Sequence, residues 1–159
     1  MIRKATTTDF EFIYELYMHP QINPYLLYEL MDAATFLPIF EDLQNKKVLY
    51  VYEDGEKSIG MCKLVPQQHR NAHIIYLGGV GILANEAGKG HGLNMLQEVK
   101  EYARNNGFLR IELSVATINE RAIHLYEKAG FVKEGVMKNF TYLKAENKFL
   151  DEVLMACLL

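Results

Sequence analysis

Cysteine is scarce in this chain, with two among 159 residues, Cys62 and Cys157. Both lie in apolar, strand-like runs far apart in sequence, with no nearby His or Cys. They read as buried core thiols, which excludes a metal site or redox motif built on them and suits a reducing cytoplasm. His69, His73 and His124 have no matching partners, so no metal is expected. An excess of positive charge is also missing. A net charge of −3 gives no basic stripe and excludes nucleic acid as the expected partner. No uninterrupted apolar run approaches the length of a bilayer span. The opening Met-Ile-Arg-Lys-Ala-Thr lacks the apolar stretch of a signal peptide, so no membrane association is expected. No repeat, linker or low-complexity segment divides the chain, and the simplest expectation is one domain with one substantial core. Half the residues are apolar and 23% are charged, as in an ordinary globular chain.

What is present is concentrated between Val80 and Gly92, Val-Gly-Ile-Leu-Ala-Asn-Glu-Ala-Gly-Lys-Gly-His-Gly. A short apolar run breaks into glycines, and an amphipathic segment begins at Gly92. The expected geometry is strand, glycine loop and helix N-terminus, whose unpaired N–H groups and positive dipole end suit a phosphate. Gly88, Gly90 and Gly92 let phosphate oxygens approach the main chain and tolerate positive φ. A P-loop would need Ser or Thr where Gly90 follows Lys89, and the dinucleotide fingerprint would need Gly where Leu93 stands. The plainer alternative is a helix entry loop that is merely rich in glycine.

Residues 2–5 read as a strand. Thr8 and Glu11 match a capping box for a helix carrying Phe10, Ile13, Leu16 and Tyr17, which ends near His19-Pro20. Asp32 caps a second helix with Phe36, Ile39, Phe40 and Leu43, which Pro38 should kink or delay. Strands over 48–52 and 58–65 flank the hairpin signal Asp54-Gly55. The strand over 73–83 holds Gly78, Gly79 and Gly81, which predicts a bulge or splay. Leu93, Leu96, Val99 and Ala103 form a helical stripe closed by Asn105-Asn106-Gly107. A strand over 109–116 and a helix over 119–129 stopped by Gly130 follow. Closing strands over 131–138 and 152–158 flank a loop around 144–148. The order describes an α/β fold, a mixed sheet with helices on both faces.

The glycine loop, followed about 27 residues later by Asn119-Glu-Arg-Ala-Ile-His-Leu-Tyr-Glu-Lys-Ala-Gly-Phe131, resembles the GNAT superfamily of N-acetyltransferases over nearly the whole chain. The ending is similar to a bacterial branch that acetylates free amino acids, polyamines or protein N-termini. The resemblance implies a mostly antiparallel central sheet with a splayed strand pair, and acetyl-CoA as acetyl donor. It places the coenzyme A pyrophosphate on Ala87, Gly88, Lys89, Gly90, His91 and Gly92. Ala87 stands where the family carries Gln or Arg, so one side-chain contact is missing, for which Lys89 could compensate as a point charge. The resemblance further implies that Val80, Gly81 and Ile82 pair with the pantetheine arm, that Asn119 hydrogen-bonds it, and that Tyr126 protonates the departing thiolate.

Transfer of acetyl from a thioester to an amine needs three things. A preorganised N–H at the developing oxyanion is worth about 3–4 kcal/mol, and the glycine-broken strand near Gly79 could supply it. The leaving thiol, with a reference pKa of about 8.5, needs an acid, which the Tyr126 phenol can be. The acceptor ammonium, with a pKa of about 10.4 if lysine-like, is neutral in only about one molecule in a thousand at pH 7, so a base must act. The segment His73 to Asn85 has no carboxylate, and Glu86 falls in the loop. Water held by Tyr76, or Glu29, is the expected substitute. An α-amino acceptor, with its lower pKa, needs less help. Tyr25, Tyr28, Phe140 and Tyr142 line an acceptor pocket or are core aromatics. Asp151-Glu152 either caps the last strand or binds an ammonium. Tyr126 is otherwise a core aromatic, Asn119 otherwise an N-cap, and His91 a solvent-facing loop residue. No Ser or Cys sits in a nucleophile setting, which points to direct transfer. The acceptor is expected to be a small-molecule amine, an amino acid or a peptide, and a homodimer stays open. The missing strand carboxylate and Ala87 support a second reading, a catalytically silent CoA-binding sensor.

Overall fold

Alternation along one strand decides where the helices go. In the computed structural model, which describes residues 1–159, β2 (Leu49–Asp54) sends Leu49 and Val51 to one side and Tyr50 to the other. Leu49 and Val51 join Ile13, Leu16 and Tyr17 of α1 (Phe10–Met18) and Phe36, Phe40 and Leu43 of α2 (Ala33–Asn45). Tyr50 joins Leu96, Val99 and Ala103 of α3 (His91–Asn105) and Ile123 and Tyr126 of α4 (Glu120–Lys128). The two-residue period of a strand therefore puts one helix pair on each face.

The sheet has seven strands. With β1 (Ile2–Lys4), β3 (Lys57–Pro66), β4 (Ile74–Ile82), β5 (Arg110–Ala116), β6 (Val132–Leu143) and β7 (Lys148–Leu158), its order is β1-β2-β3-β4-β5-β7-β6. Every pair is antiparallel except β4 with β5. That parallel pair is short: Ile74, Ile75 and Tyr76 face Arg110, Ile111 and Glu112, and the strands then part. β4 stays paired with β3 up to Ile82, and β5 with β7 up to Ala116, so one edge of each is left free inside the sheet. The expected mixed, mostly antiparallel sheet with a splayed pair is the observed one.

A bulge on β4 accompanies the splay. Lys63 pairs with Gly78 and Met61 with Gly81, leaving Gly79 and Val80 opposite Cys62. Gly79 has φ +57°, and a Cβ there would lie 2.7 Å from the Tyr17 hydroxyl, so only glycine fits without displacement.

Four local expectations need correction. The capping box lies two residues earlier, where the Asp9 carboxylate accepts from the Thr6 N–H at 2.7 Å and also holds Arg3 at 2.7 and 2.8 Å. Asp9 wins over Glu11 because its carboxylate also satisfies a guanidinium on β1. α2 starts at Ala33, directly after its cap Asp32, so Pro38 does not delay it; the carbonyl deprived of a donor is that of Ala34, on an exposed part of the helix where water can serve it. α3 starts at His91 with Gly90 as N-cap, one residue before the predicted start, because Gly90 at φ +90° makes the turn into the helix. β6 and β7 reach to Leu143 and back from Lys148, far beyond the predicted ends. Their outer parts are exposed and mixed in polarity, so alternation did not reveal them.

Candidate active site

Three structural features meet at the splay. The first is the loop entering α3. Gly88 and Gly90 have φ of +82° and +90°, and a Cβ on either would meet nothing within 4 Å. The N–H groups of Gly88, Lys89 and Gly90 donate to no protein carbonyl, and those of His91, Gly92 and Leu93 are the first-turn donors that a helix leaves free. Gly92 plays a different part: a Cβ there would come within 3.0 Å of Leu125, so this glycine lets α3 and α4 approach. Glu86 lies beside the loop, 2.7 Å from Lys57 and 2.8 Å from Lys89. The two ammonium groups hold its carboxyl down at about 2. Two cations and one anion leave one net positive charge at the helix entrance, which adds to the dipole in favouring an anion. Lys89 is thus engaged by Glu86 and does not stand as a free point charge. Ala87 is exposed and extended, with no polar side chain to offer.

The second feature is the free edge of β4. Leu77 to Ile82 have no partner on the β5 side, so the main chain of Val80, Gly81 and Ile82 presents the unpaired row to which an extended amide chain can add. Across the gap, Asn119 caps α4 by accepting from the Ala122 N–H at 3.2 Å. The cap uses its oxygen and leaves the amide NH2 without a partner. An extended diamide ending in a diphosphate fits this arrangement of edge, amide and loop.

The third feature is an open cleft of about 130 Å³ on the α1 and α2 side of the sheet. Tyr25, Lys63, Tyr76, Ser114, Thr141 and Glu152 are among its lining residues. Tyr76 and Ser114 share a hydrogen bond of 3.1 Å across the splay, and Glu152 accepts from the Thr141 hydroxyl at 2.6 Å. Tyr126 comes from α4 on the other face. It is 7% exposed, its ring meets Phe131 edge-on at 5.8 Å, and burial raises its pKa, with Tyr76 and Cys62 as neighbours. Cys62 itself is buried and pushed up to about 12, so it is no nucleophile at ordinary pH.

The sequence profile of the Acetyltransferase (GNAT) family matches residues 10–131, which takes in the splay, the glycine loop and α4. The chain belongs to the GNAT acetyltransferase family. This acetyltransferase is similar to a spermidine N(1)-acetyltransferase of Vibrio cholerae, 31% identical over 144 residues, covering 84% of this chain and 79% of the relative. Its fold is shared with a crystal structure of a V. cholerae spermidine N-acetyltransferase in complex with CoA and spermine. The TM-score is 0.85 at 22% identity, over 99% of this chain and 94% of that one. A ribosomal-protein-alanine N-acetyltransferase from Brucella melitensis gives 0.81 at 22% identity, over 100% and 99% of the chains. The family membership makes the chain an N-acetyltransferase.

Other sequence-selected residues of this GNAT enzyme are dispersed. Glu29 is exposed and outside the cleft lining, its carboxylate 3.4 Å from the Lys144 N–H. Tyr28 lies under Lys63 with its ring centroid 5.2 Å from the ammonium. Phe140 lines the cleft, whereas Tyr142 stacks on Phe149 at the hairpin tip. His91 does not face solvent: its side chain is 15% exposed, directed toward Glu86 and Tyr52, with Nδ1 buried and unpartnered. Asp151 and Glu152 separate by strand alternation, Asp151 pairing with Lys138 at 2.8 Å and Glu152 entering the cleft. No group of three or more His, Cys, Asp or Glu side chains is gathered as for a metal, and no helix is long and apolar enough to cross a membrane. Lys63, Ser114 and Thr141 escaped the sequence reading. For Lys63 a signal existed: it shares a strand face with Met61 and Val65, both packed against α1 and α2 residues.

Proposed function

We propose that this enzyme transfers the acetyl group of acetyl-CoA directly to the primary amine of a small molecule. The parting of β4 from β5 beside a loop of unpaired N–H groups carries the reading, because it offers an amide-binding edge and a diphosphate-binding end in line. The diphosphate lies against the main chain of Gly88 to Leu93, and the pantetheine arm runs along Val80, Gly81 and Ile82 with Asn119 as side-chain partner. The thioester is thereby aimed into the splay, where the bulge at Gly79 and Val80 removes two residues from the β3 ladder.

The acceptor enters through the cleft by Tyr25 and Tyr76. Glu152, a cleft carboxylate fixed by Thr141, attracts the ammonium and receives its proton. The neutral amine attacks the carbonyl carbon, the C–S bond breaks, one of the two protons left on the nitrogen ends on the departing thiolate, and Glu152 passes its proton to solvent. Tyr126 supports that departure by donating a hydrogen bond to the sulfur. Its raised pKa keeps it protonated for this role and makes it a poor source of a fully transferred proton. Direct transfer agrees with the inert Cys62. The carboxylate missing from β4 has a replacement on β7, which removes one of the two sequence features that favoured a silent sensor.

The test is thiol release from acetyl-CoA with a panel of amino acids, polyamines including spermidine, and short peptides. Release with at least one panel amine is expected. Release with none, while CoA at about 100 times its Kd still adds about 2.7 kcal/mol of stability, would leave a binding protein without turnover.

A further inference from the structure

The cleft contains a charge that the proposed transfer does not use. Lys63 lies mid-strand on β3, its residue only 8% exposed, with its stem along the bulge: a Cβ built at Gly79 would lie 3.4 Å from its Cγ and Cε. Its ammonium makes no hydrogen bond and no ion pair, and the face of the Tyr28 ring, 5.2 Å away, is its closest compensation. Such a ring recovers only part of what a desolvated cation loses. An ammonium carries three donors, and here none has a protein acceptor. Burial accordingly lowers the Lys63 pKa, and an anion at this position would restore it. The ammonium is not among the sealed polar atoms, so the surface it keeps opens on the cleft it lines.

Glu152 stands in the same cleft and is committed to Thr141, not to Lys63. The lining thus presents one cation and one anion that do not neutralise each other. A polyamine, which brings only positive charge, meets a single carboxylate and a repelling lysine there. An amino acid brings both complements.

From the buried, unpartnered Lys63 ammonium facing the same cleft as Glu152, we infer that the acceptor is an amine bearing a carboxylate, of the amino-acid class, with Lys63 binding the carboxylate and setting specificity. The inference rests on the transfer reading above and narrows it. Lys63 touches the acceptor away from the reacting nitrogen, so its loss acts on KM.

The experiment compares each of a set of amino acids with its own carboxamide, and with spermidine, in thiol release by the wild type, Lys63→Met and Lys63→Arg. Lys63→Met keeps most of the apolar stem, and circular dichroism checks that both variants fold. The wild type should prefer acid over amide by about 10- to 100-fold in kcat/KM, the span of one charge-assisted contact. Lys63→Met should bring that ratio near one by raising KM for acids alone, and Lys63→Arg should keep part of it. Equal use of acids and amides by the wild type, preference for spermidine, or an equal loss on both substrates in Lys63→Met would overturn the inference and leave acetyl transfer standing. If no amine releases thiol, the transfer reading fails by itself. The melting temperature of the CoA-loaded protein then decides: a shift by amino acids that Lys63→Met abolishes upholds carboxylate recognition, and no shift overturns it.

Discussion

Tyr126 is the residue whose role in the chemistry can be separated from its role in packing. Its ring fills the core beside Phe131, and its hydroxyl is the only part that phenylalanine would lack. We predict that Tyr126→Phe lowers kcat by about a hundredfold, the low end for a preorganised hydrogen-bond donor to developing charge, and changes the Kd of CoA less than twofold. The pH profile follows from the direction of the pKa shift. Because burial raises it, the phenol stays protonated past its usual value of about 10, so its ionisation should impose no fall on kcat below about pH 10. An unchanged kcat in the variant would remove Tyr126 from the mechanism, and a wild-type fall between pH 8 and 10 that the variant abolishes would contradict its raised pKa. Single residues divided sharply in how far the sequence revealed them. Asn119 and Tyr126 were legible because a spaced pattern marks them. Lys63 was not read, because a lysine in a strand ordinarily faces water; alternation with Met61 and Val65 hinted at an inward face, and the structure places it against Tyr28 in the loop after α1. Glu152 was half legible: the pair Asp151-Glu152 drew attention, but which of the two points inward depends on register.

At the level of elements, the entry to α3 carries the tightest sequence constraint. Gly90 at φ +90° is its N-cap, and its missing Cβ faces open space in front of the helix. Gly90→Val should cost about 1–2 kcal/mol of stability for the left-handed backbone, read from denaturant unfolding. By placing a branched side chain before the free N–H groups, it should also weaken CoA binding at least tenfold in calorimetry. Normal affinity would place the diphosphate elsewhere. Glycines made this element readable, as they did the β4 bulge, because each marks a conformation that other residues resist. The β6–β7 hairpin was read too short for the opposite reason. Its outer residues are exposed and its register shifts between Met137 and Thr141, so neither alternation nor glycine marks it. The displaced capping box shows the same limit: Thr8 with Glu11 has the right spacing, but the choice fell to Asp9 through Arg3, on a strand that pairs with β2.

For the whole molecule, the splay organises the rest. Element order was legible throughout, since hydrophobic period and turn residues act locally. The mostly antiparallel pairing with one splayed pair came from resemblance, and the order in which the strands pair was not legible, because pairing between distant segments leaves no local mark. Two faces of one sheet supply the parts: the loop after α1 with β3, β6 and β7 lines the proposed acceptor cleft, while α3 and α4 supply the anion end and the phenol. They can meet only where β4 and β5 part. Hydrogen exchange read by mass spectrometry, with and without saturating CoA, tests this most directly. Protection should appear in peptides covering Leu77 to Ile82 and Gly88 to Leu93 and stay absent from the exposed half of the β6–β7 hairpin. Bound CoA that leaves both segments exchanging as before would contradict the proposed seat of the donor.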